Sequence, residues 1–307
     1  MNISNSIKDK IKLIAGDENV RCNEPMKDHT TMKVGGNASC FVTPADEEAI
    51  AELVEYLRNN NIPYYVLGNG SNVICRDEGY DGVIICLCPN YSGYRIEGED
   101  GDCVLTVVKS GTMNRDFAME MVKEGLAGFE FASGIPGSIG GATCMNAGAY
   151  DGEIRNITRY VRLLGPDGKI IIKNALEMDF GYRHSLISDG GYIVLETCFA
   201  LKKDDPQSVQ ARIDDLTRRR QEKQPLEFPS CGSTFKRPEG FFAGKLISDA
   251  GLRGFRVGGA QVSEKHAGFV INSSDATAAD VLNLIELVRN RVFEACGVRL
   301  ECEVKIL

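Results

Sequence analysis

The 307-residue sequence has no long basic stretch, and 35 Lys and Arg stand against 43 Asp and Glu, a formal net charge of −8. Nucleic-acid binding needs Lys/Arg surfaces that neutralise phosphates, so this balance argues against a nucleic-acid partner and leaves a small anionic ligand open. Long apolar runs are also missing. None approaches the roughly 18 residues of a membrane helix, and the N-terminal MNISNSIKDKIKLIAGDENV has no signal-type apolar core, so no membrane partner and a cytoplasmic location are expected. The three histidines, His29, His184 and His266, are too scattered to propose a Ser or Cys triad from spacing. The 11 cysteines are odd in number and irregularly spaced, which fits a reducing compartment better than a disulfide framework. The closest pair, Cys86-Leu87-Cys88, lies in an apolar run with no second pair or His at zinc spacing, so no metal is expected. Internal repeats are absent.

The length fits two domains with self-sufficient cores. Within 44–61, Ile50, Leu53, Val54 and Leu57 recur at helical spacing. Strands are expected at Tyr64–Leu67, Val73–Cys75, Val83–Leu87 and Cys103–Val108, with a helix over Asn114–Glu124. Thr158–Leu164 and Lys169–Ile172 flank Gly165-Pro166-Asp167-Gly168 as a hairpin, and Tyr192–Leu201 reads as a further strand. Asp204-Asp205-Pro206 opens a helix with the stripe Val209, Ile213 and Leu216 beside Arg212, Arg218, Arg219 and Arg220, and a domain boundary is placed there. Beyond it come a short helix over Phe242–Ala250, a strand Val270–Asn272 and a helix from Ala278 to about Cys296, opened by the capping pair Thr277 and Asp280. In a terminal strand Val298–Leu307, Leu300, Cys302 and Val304 point one way and Glu301, Glu303 and Lys305 the other.

The 33 glycines concentrate in a few places. Gly68-Asn69-Gly70-Ser71-Asn72 follows a strand and reads as a tight turn or as a nest of N–H groups for a phosphate. It is not a dinucleotide fingerprint, because Val73 replaces the third glycine and a strand follows. Gly240 to Lys245 likewise fails as a P-loop, one residue short and with Leu246 in place of Ser/Thr. The stretch Gly125–Gly152 reads as a long functional loop. Gly134, Gly137, Gly140 and Gly141 let backbone approach a large flat ligand, and Ser138 and Asn146 add hydrogen-bonding capacity. Two such loops favour a dinucleotide-sized ligand. Taken alone, Ser233 reads as a turn hydroxyl, Arg183 as an exposed salt-bridging Arg and Glu303 as a solvated strand residue.

Read in order, eight blocks resemble the MurB family of flavin-dependent UDP-N-acetylenolpyruvoylglucosamine reductases: DHTTMKVGGNA, VLGNGSNVI, EFASGIPGSIGGATCMNAGAYDGEI, GYRHS, CGSTFKRP, AGKLISDAGLRG, GGAQVSEKHAGFVIN and LECEVKIL. The resemblance implies an α+β fold in which a two-lobed FAD-binding domain of PCMH type is joined to a C-terminal α/β substrate domain. It implies an N-terminal helical segment over 1–20, FAD lobes over 21–88 and 89–205, a substrate domain over 206–300, and a last strand, 301–307, returning to the first lobe. FAD would be held by Gly68, Asn69, Gly70, Ser71 and Asn72 and by Gly134, Ile135, Pro136, Gly137, Ser138, Gly140, Gly141, Ala142, Asn146, Ala147 and Gly148, with Thr30-Thr31 and Gly35-Gly36 shaping the site. NADPH would be the hydride donor. Ser233 would be the proton donor, with Arg183 and Glu303 flanking the substrate carboxylate, and Tyr182, Lys245, Gln261 and His266 would contact the UDP-sugar, Lys245 at phosphate. The segment after Arg183 is short, so the chain resembles the compact subclass without a tyrosine-bearing insertion. A monomer is expected. A flavin oxidase acting on an alcohol or sugar, and a non-catalytic UDP-sugar sensor, are the alternatives. Cys231 reads as a neutral space-filler.

Overall fold

Helices form where an apolar stripe coincides with a cap. The computed structural model describes residues 3–307. Helix Glu47–Asn59 starts at Asp46, whose carboxylate accepts from Ala49 N at 2.8 Å, and it buries Ile50, Leu53, Val54 and Leu57. Helix Ala278–Cys296 opens on the expected reciprocal pair: Thr277 Oγ1 accepts from Asp280 N, and Asp280 Oδ2 from Thr277 N, both at 3.0 Å. It ends at Gly297 with φ +74°, and the N-terminal segment is helical over Asn5–Ala15.

The chain forms two compact units. The first comprises the chain up to Cys22, Cys40–Asn69 and Gly82–Arg220. Residues 20–22, 40–42, 64–67 and 82–86 of this unit belong to a sheet of order Val20–Pro25, Asn37–Val42, Tyr80–Cys86, Tyr64–Leu67, the last pair parallel. The other is antiparallel, in the order Ile170–Asn174, Thr158–Leu164, Ile193–Lys203, Cys103–Lys109, Tyr94–Asp100, with Leu126–Ala127 also on Ile193–Lys203. The expected hairpin is present, Leu164 facing Ile170 and Tyr160 facing Asn174. Strand Tyr94–Asp100 has no counterpart among the expected elements: it is an edge strand whose side chains are mostly exposed, so it carries no apolar alternation. Gly125–Gly152 is also more regular than a loop, with the strand Leu126–Ala127, a turn of 3₁₀ helix at Glu130–Ala132, the helix Ile139–Cys144 and the paired strands Gly148–Ala149 and Gly152–Glu153. Glycine hides the helix from propensity, but a Cβ on Gly140 would meet Ser110 Cβ at 2.7 Å, so close packing there requires glycine.

The second unit comprises Asn23–Ser39, Gly70–Asp81 and Gln221–Leu307. A three-stranded antiparallel sheet, Arg256–Val257, Ala260–Val262 and Val270–Asn272, shares a core with helix Ala278–Cys296. Of the expected terminal strand, Lys305–Ile306 pairs in parallel with Val73–Ile74 and Cys302 bridges to Phe235. The alternation persists, with Leu300 and Val304 buried while Glu301 and Lys305 are exposed.

The result is an α+β fold whose units are cut differently from the expected boundaries. The break falls after Arg220 because helix Pro206–Lys223 buries Ile213 in one core with Phe117, Phe129 and Phe199. Residues 23–39 and 70–81 join the second unit because Met32, Val34 and Ile74 share a core with Ile247, Val262 and Val288.

Candidate active site

In the first unit the two glycine loops touch. A Cβ on Gly68 would lie 2.5 Å from Ser138 Oγ, so any larger residue there forces the Ser138 hydroxyl to turn aside. Ser138 is buried and accepts from Gly141 N at 3.5 Å as the cap of helix Ile139–Cys144. The second loop is pinned by Asn114 N to Gly137 O (3.0 Å), Asn114 Nδ2 to Ile135 O (3.2 Å), Ile139 N to Thr112 O (2.9 Å) and Gly140 N to Ser110 O (2.9 Å). Donors and acceptors are left over. Neither Gly137 N nor Ser138 N donates to a backbone acceptor among the described residues, and Ser110 Oγ and Asn114 Oδ1 are buried without a hydrogen-bond partner. Rigid, glycine-opened backbone with unspent N–H groups fits the diphosphate of a dinucleotide such as FAD.

The same loop fixes Arg183. Buried Asn146, at φ +41°, donates from Nδ2 to Gly181 O (2.9 Å) and Glu153 Oε2 (2.8 Å) and accepts at Oδ1 from Arg155 N (3.0 Å). Ser185 Oγ donates to Cys144 O at 2.6 Å. Between these ties Gly181 and His184 bond reciprocally, holding Arg183 in a turn at φ +55°. Such a backbone costs an L-residue about 1 kcal/mol or more and persists only where the surroundings impose it. The guanidinium carbon lies 5.2 Å from the ring centre of Tyr182, which is 55% exposed.

Ser233 and Glu303 belong to the second unit, and local pairing brings their segments side by side. Glu303 N donates to Thr234 O (2.8 Å), Lys236 N to Glu301 O (2.9 Å), and Phe235 bridges Cys302. Thr234 is itself locked, its N–H on Gly268 O and its Oγ1 accepting from Val270 N. Ser233 is exposed one residue before this pairing and one after Gly232, at φ +71°. Asn72 Nδ2 donates to Glu303 O at 3.2 Å, so the end of the first glycine loop is tied to the same segment. A Cβ on Gly70 would meet His29 O at 2.0 Å, Thr31 N donates to Gly70 O at 3.1 Å, and Thr31 Oγ1 to Ser230 O at 2.6 Å. Thr30-Thr31 thus borders this loop. Cys231 is buried, its thiol pushed up to about 12 by burial while donating to Val73 O, as befits a neutral core group.

The expected sugar-nucleotide contacts differ in setting. Lys245 Nζ pairs with Asp249 Oδ2 at 2.8 Å and is largely exposed. Gln261 is buried, with Nε2 on Gly254 O and Oε1 accepting from Arg256, both at 3.2 Å. His266 accepts at Nδ1 from Gly268 N (3.2 Å) and stands edge-on to Phe269; burial, with the Arg253 charge, lowers its pKa. Two polar residues under the second loop, Ser110 and Asn114, are not marked as site residues by the sequence; they follow a strand, and only the fold brings them to the loop. No local signal marks them.

Residues 38–173 match the family described as FAD binding domain, and residues 224–307 match the one described as UDP-N-acetylenolpyruvoylglucosamine reductase, C-terminal domain. The chain is 49% identical to the UDP-N-acetylenolpyruvoylglucosamine reductase of Clostridium botulinum over 96% of its own length and 94% of that protein. It is 47% identical to the reductase of Lachnoclostridium phytofermentans, over 99% and 98%. Among solved structures it is similar to UDP-N-acetylenolpyruvylglucosamine reductase (MurB) from Thermus caldophilus, with TM-score 0.78 and 34% identity over 94% of this chain and 97% of that one. With glycine loops that touch at Gly68 and Ser138, a C-terminal segment that carries Glu303 to Thr234, and such likeness along nearly its whole length, the chain belongs to the MurB family of UDP-N-acetylenolpyruvoylglucosamine reductases.

Proposed function

We infer that this chain reduces the enolpyruvyl group of UDP-N-acetylglucosamine enolpyruvate to UDP-N-acetylmuramate in peptidoglycan precursor synthesis, with FAD as cofactor and NADPH as hydride donor. The observation that carries this reading is the union, in one chain, of a flavin-type pair of glycine loops with the reductase's C-terminal domain.

The chemistry that bound FAD supplies is hydride carriage from NADPH to the terminal carbon of the enolpyruvyl group. The chain's residues bind, orient and protonate. Gly137 and Ser138 offer N–H groups to the flavin nucleotide's diphosphate, and Gly68–Asn72 contribute further contacts to the cofactor. Ser233 delivers a proton from Oγ to the carbon bearing oxygen and carboxylate. A hydroxyl is a weak acid, so this task depends on neighbours that lower the energy of the negative charge accumulating on the substrate. Arg183, permanently charged, polarises the substrate carboxylate, and Glu303, when protonated, donates a hydrogen bond to the accumulating charge. Tyr182, Lys245, Gln261 and His266 line the UDP-sugar site, with Lys245 at phosphate. The protein works as a cytoplasmic monomer without membrane or nucleic-acid partners.

The test is the visible spectrum of the purified protein, before and after anaerobic NADPH and then the enolpyruvyl sugar. The flavin band is expected to bleach and return. A protein that takes up no FAD overturns the reading. In Ser233→Ala the bleaching step should be kept while the return slows by a hundredfold or more, the scale of a lost general acid; an unaltered return would remove Ser233 from its role.

A further inference from the structure

Helix Pro206–Lys223 carries a group of arginines whose charges are answered within the fold, with one exception. Arg212 pairs with Glu130 at 2.8 Å and Asp204 at 2.6 Å, Arg218 with Asp215 at 2.6 Å, and Arg219 with Asp215 at 2.7 Å. Arg220 has no carboxylate or hydrogen-bond partner among the described residues, although it is half-buried. Its side chain lies on the glycine that opens the second loop. A Cβ built on Gly134 would sit 3.1 Å from Arg220 Cδ, 3.6 Å from a terminal guanidinium nitrogen and 3.9 Å from Nε. Tyr150, at φ +50°, donates from its hydroxyl to Leu216 O at 3.4 Å, one helical turn before Arg220, so the loop is tied to the helix at this point.

A guanidinium withdrawn from water without an anion is costly, and neutralisation gives little relief because Arg keeps its proton. Burial depresses its basicity here with no carboxylate to offset the effect. The same group beside an anionic ligand forms charge-assisted, forked hydrogen bonds, for which its planar donors are suited.

We propose that Arg220 is a phosphoryl-binding residue whose guanidinium, laid against Gly134, takes a diphosphate oxygen of a nucleotide bound along the second glycine loop. The proposal rests on the nucleotide-dependent reading above. Three sources share this chemistry: the diphosphates of FAD, of the UDP-sugar and of NADPH.

Arg220→Gln and Arg220→Lys separate them. FAD is titrated into apoprotein by quenching of flavin fluorescence, and UDP and NADP+ into FAD-loaded protein by the perturbed flavin absorbance. The Gln variant should weaken one of the three by about tenfold or more, with Lys recovering part of the loss. A loss confined to FAD assigns the residue to the cofactor's diphosphate, and one confined to UDP or NADP+ to that ligand. The melting temperature of Gln apoprotein should match or exceed the wild type, since an unanswered buried charge is gone. Affinities within twofold of wild type for all three ligands overturn the proposal, and a lower melting temperature in that case marks Arg220 as a packing residue. If the Gln variant does not fold, the Lys variant decides, because loss of the fork alone should weaken the affected ligand several-fold. Wild-type apoprotein that binds no FAD would bring down the functional reading and this proposal together; wild-type binding with unaffected variants brings down only Arg220.

Discussion

Glu196, 3% exposed, lies between Arg95 and Arg162, with Arg162 Nη1 at 2.6 Å from Oε2. Burial pushes its pKa up, but hydrogen bonds and charge from the two guanidiniums outweigh burial and hold it below 4.5. A depressed carboxyl contributes stability above its unfolded value of 4.5, lost as pH falls through the folded value. Glu196→Gln leaves Arg162 paired only with Glu47 and should cost about 2–3 kcal/mol at pH 7, less than a fully buried pair because Arg95 is half-exposed. In urea unfolding the gap from wild type should narrow below pH 4.5; a gap independent of pH would show that the charge is not what matters. Gly68 makes a second single-residue prediction. Gly68→Ala sets a methyl against Ser138 Oγ and should weaken FAD binding by tenfold or more, with Gly68→Ala/Ser138→Ala regaining part of the loss. Equal FAD affinities in the single variant and wild type would refute the close approach.

Among the elements, helix Ala278–Cys296 has an N-terminus stabilised twice. Thr277 and Asp280 cap each other, while Asp77 accepts from Ala278 N at 2.9 Å and Ala279 N at 2.8 Å. Thr277→Ala should cost about 1 kcal/mol, and Asp77→Ala, which strips two N–H groups of their acceptor, about 1–2 kcal/mol, both read in denaturant melts with the flavin spectrum unchanged. This helix shows what a sequence makes legible. Its local cap, its apolar stripe and the closing Gly297 are all within reach of its own residues, and it forms over the expected span. Asp77 is invisible in the same sequence because its partners are some two hundred residues away. Ile139–Cys144 is illegible for a different reason: IGGATC has little helical propensity, and packing against Ser110 supplies what it lacks. Likewise, Ser233, Arg183 and Glu303 carry no physical mark in the sequence that separates them from an ordinary turn hydroxyl, a surface cation and a strand acid; the resemblance alone singled them out. Arg220 is legible as one of four arginines beside the apolar stripe, but its lack of a partner among the described residues is a property of the fold.

At the scale of the molecule, the 11 cysteines are free thiols in graded surroundings. Cys22 and Cys296 are exposed, whereas burial pushes Cys40, Cys86 and Cys231 up to about 12 and Cys75 and Cys198 up to about 11. Brief alkylation at pH 8 followed by peptide mass mapping should label Cys22 and Cys296 first and the five buried thiols only on unfolding. Early labelling of Cys231 would contradict its place in the core. The second unit draws on three separate stretches of chain, and residues 70–81 are held there by Lys305 N on Asn72 O, Leu307 N on Ile74 O and Arg76 N on Leu307 O. During translation those stretches leave the ribosome far apart in time. Residues 23–39 and 70–81 must wait, their apolar Met32, Val34 and Ile74 uncovered, until residue 307 has emerged, which makes the interval before closure the point at which a nascent chain would need a chaperone.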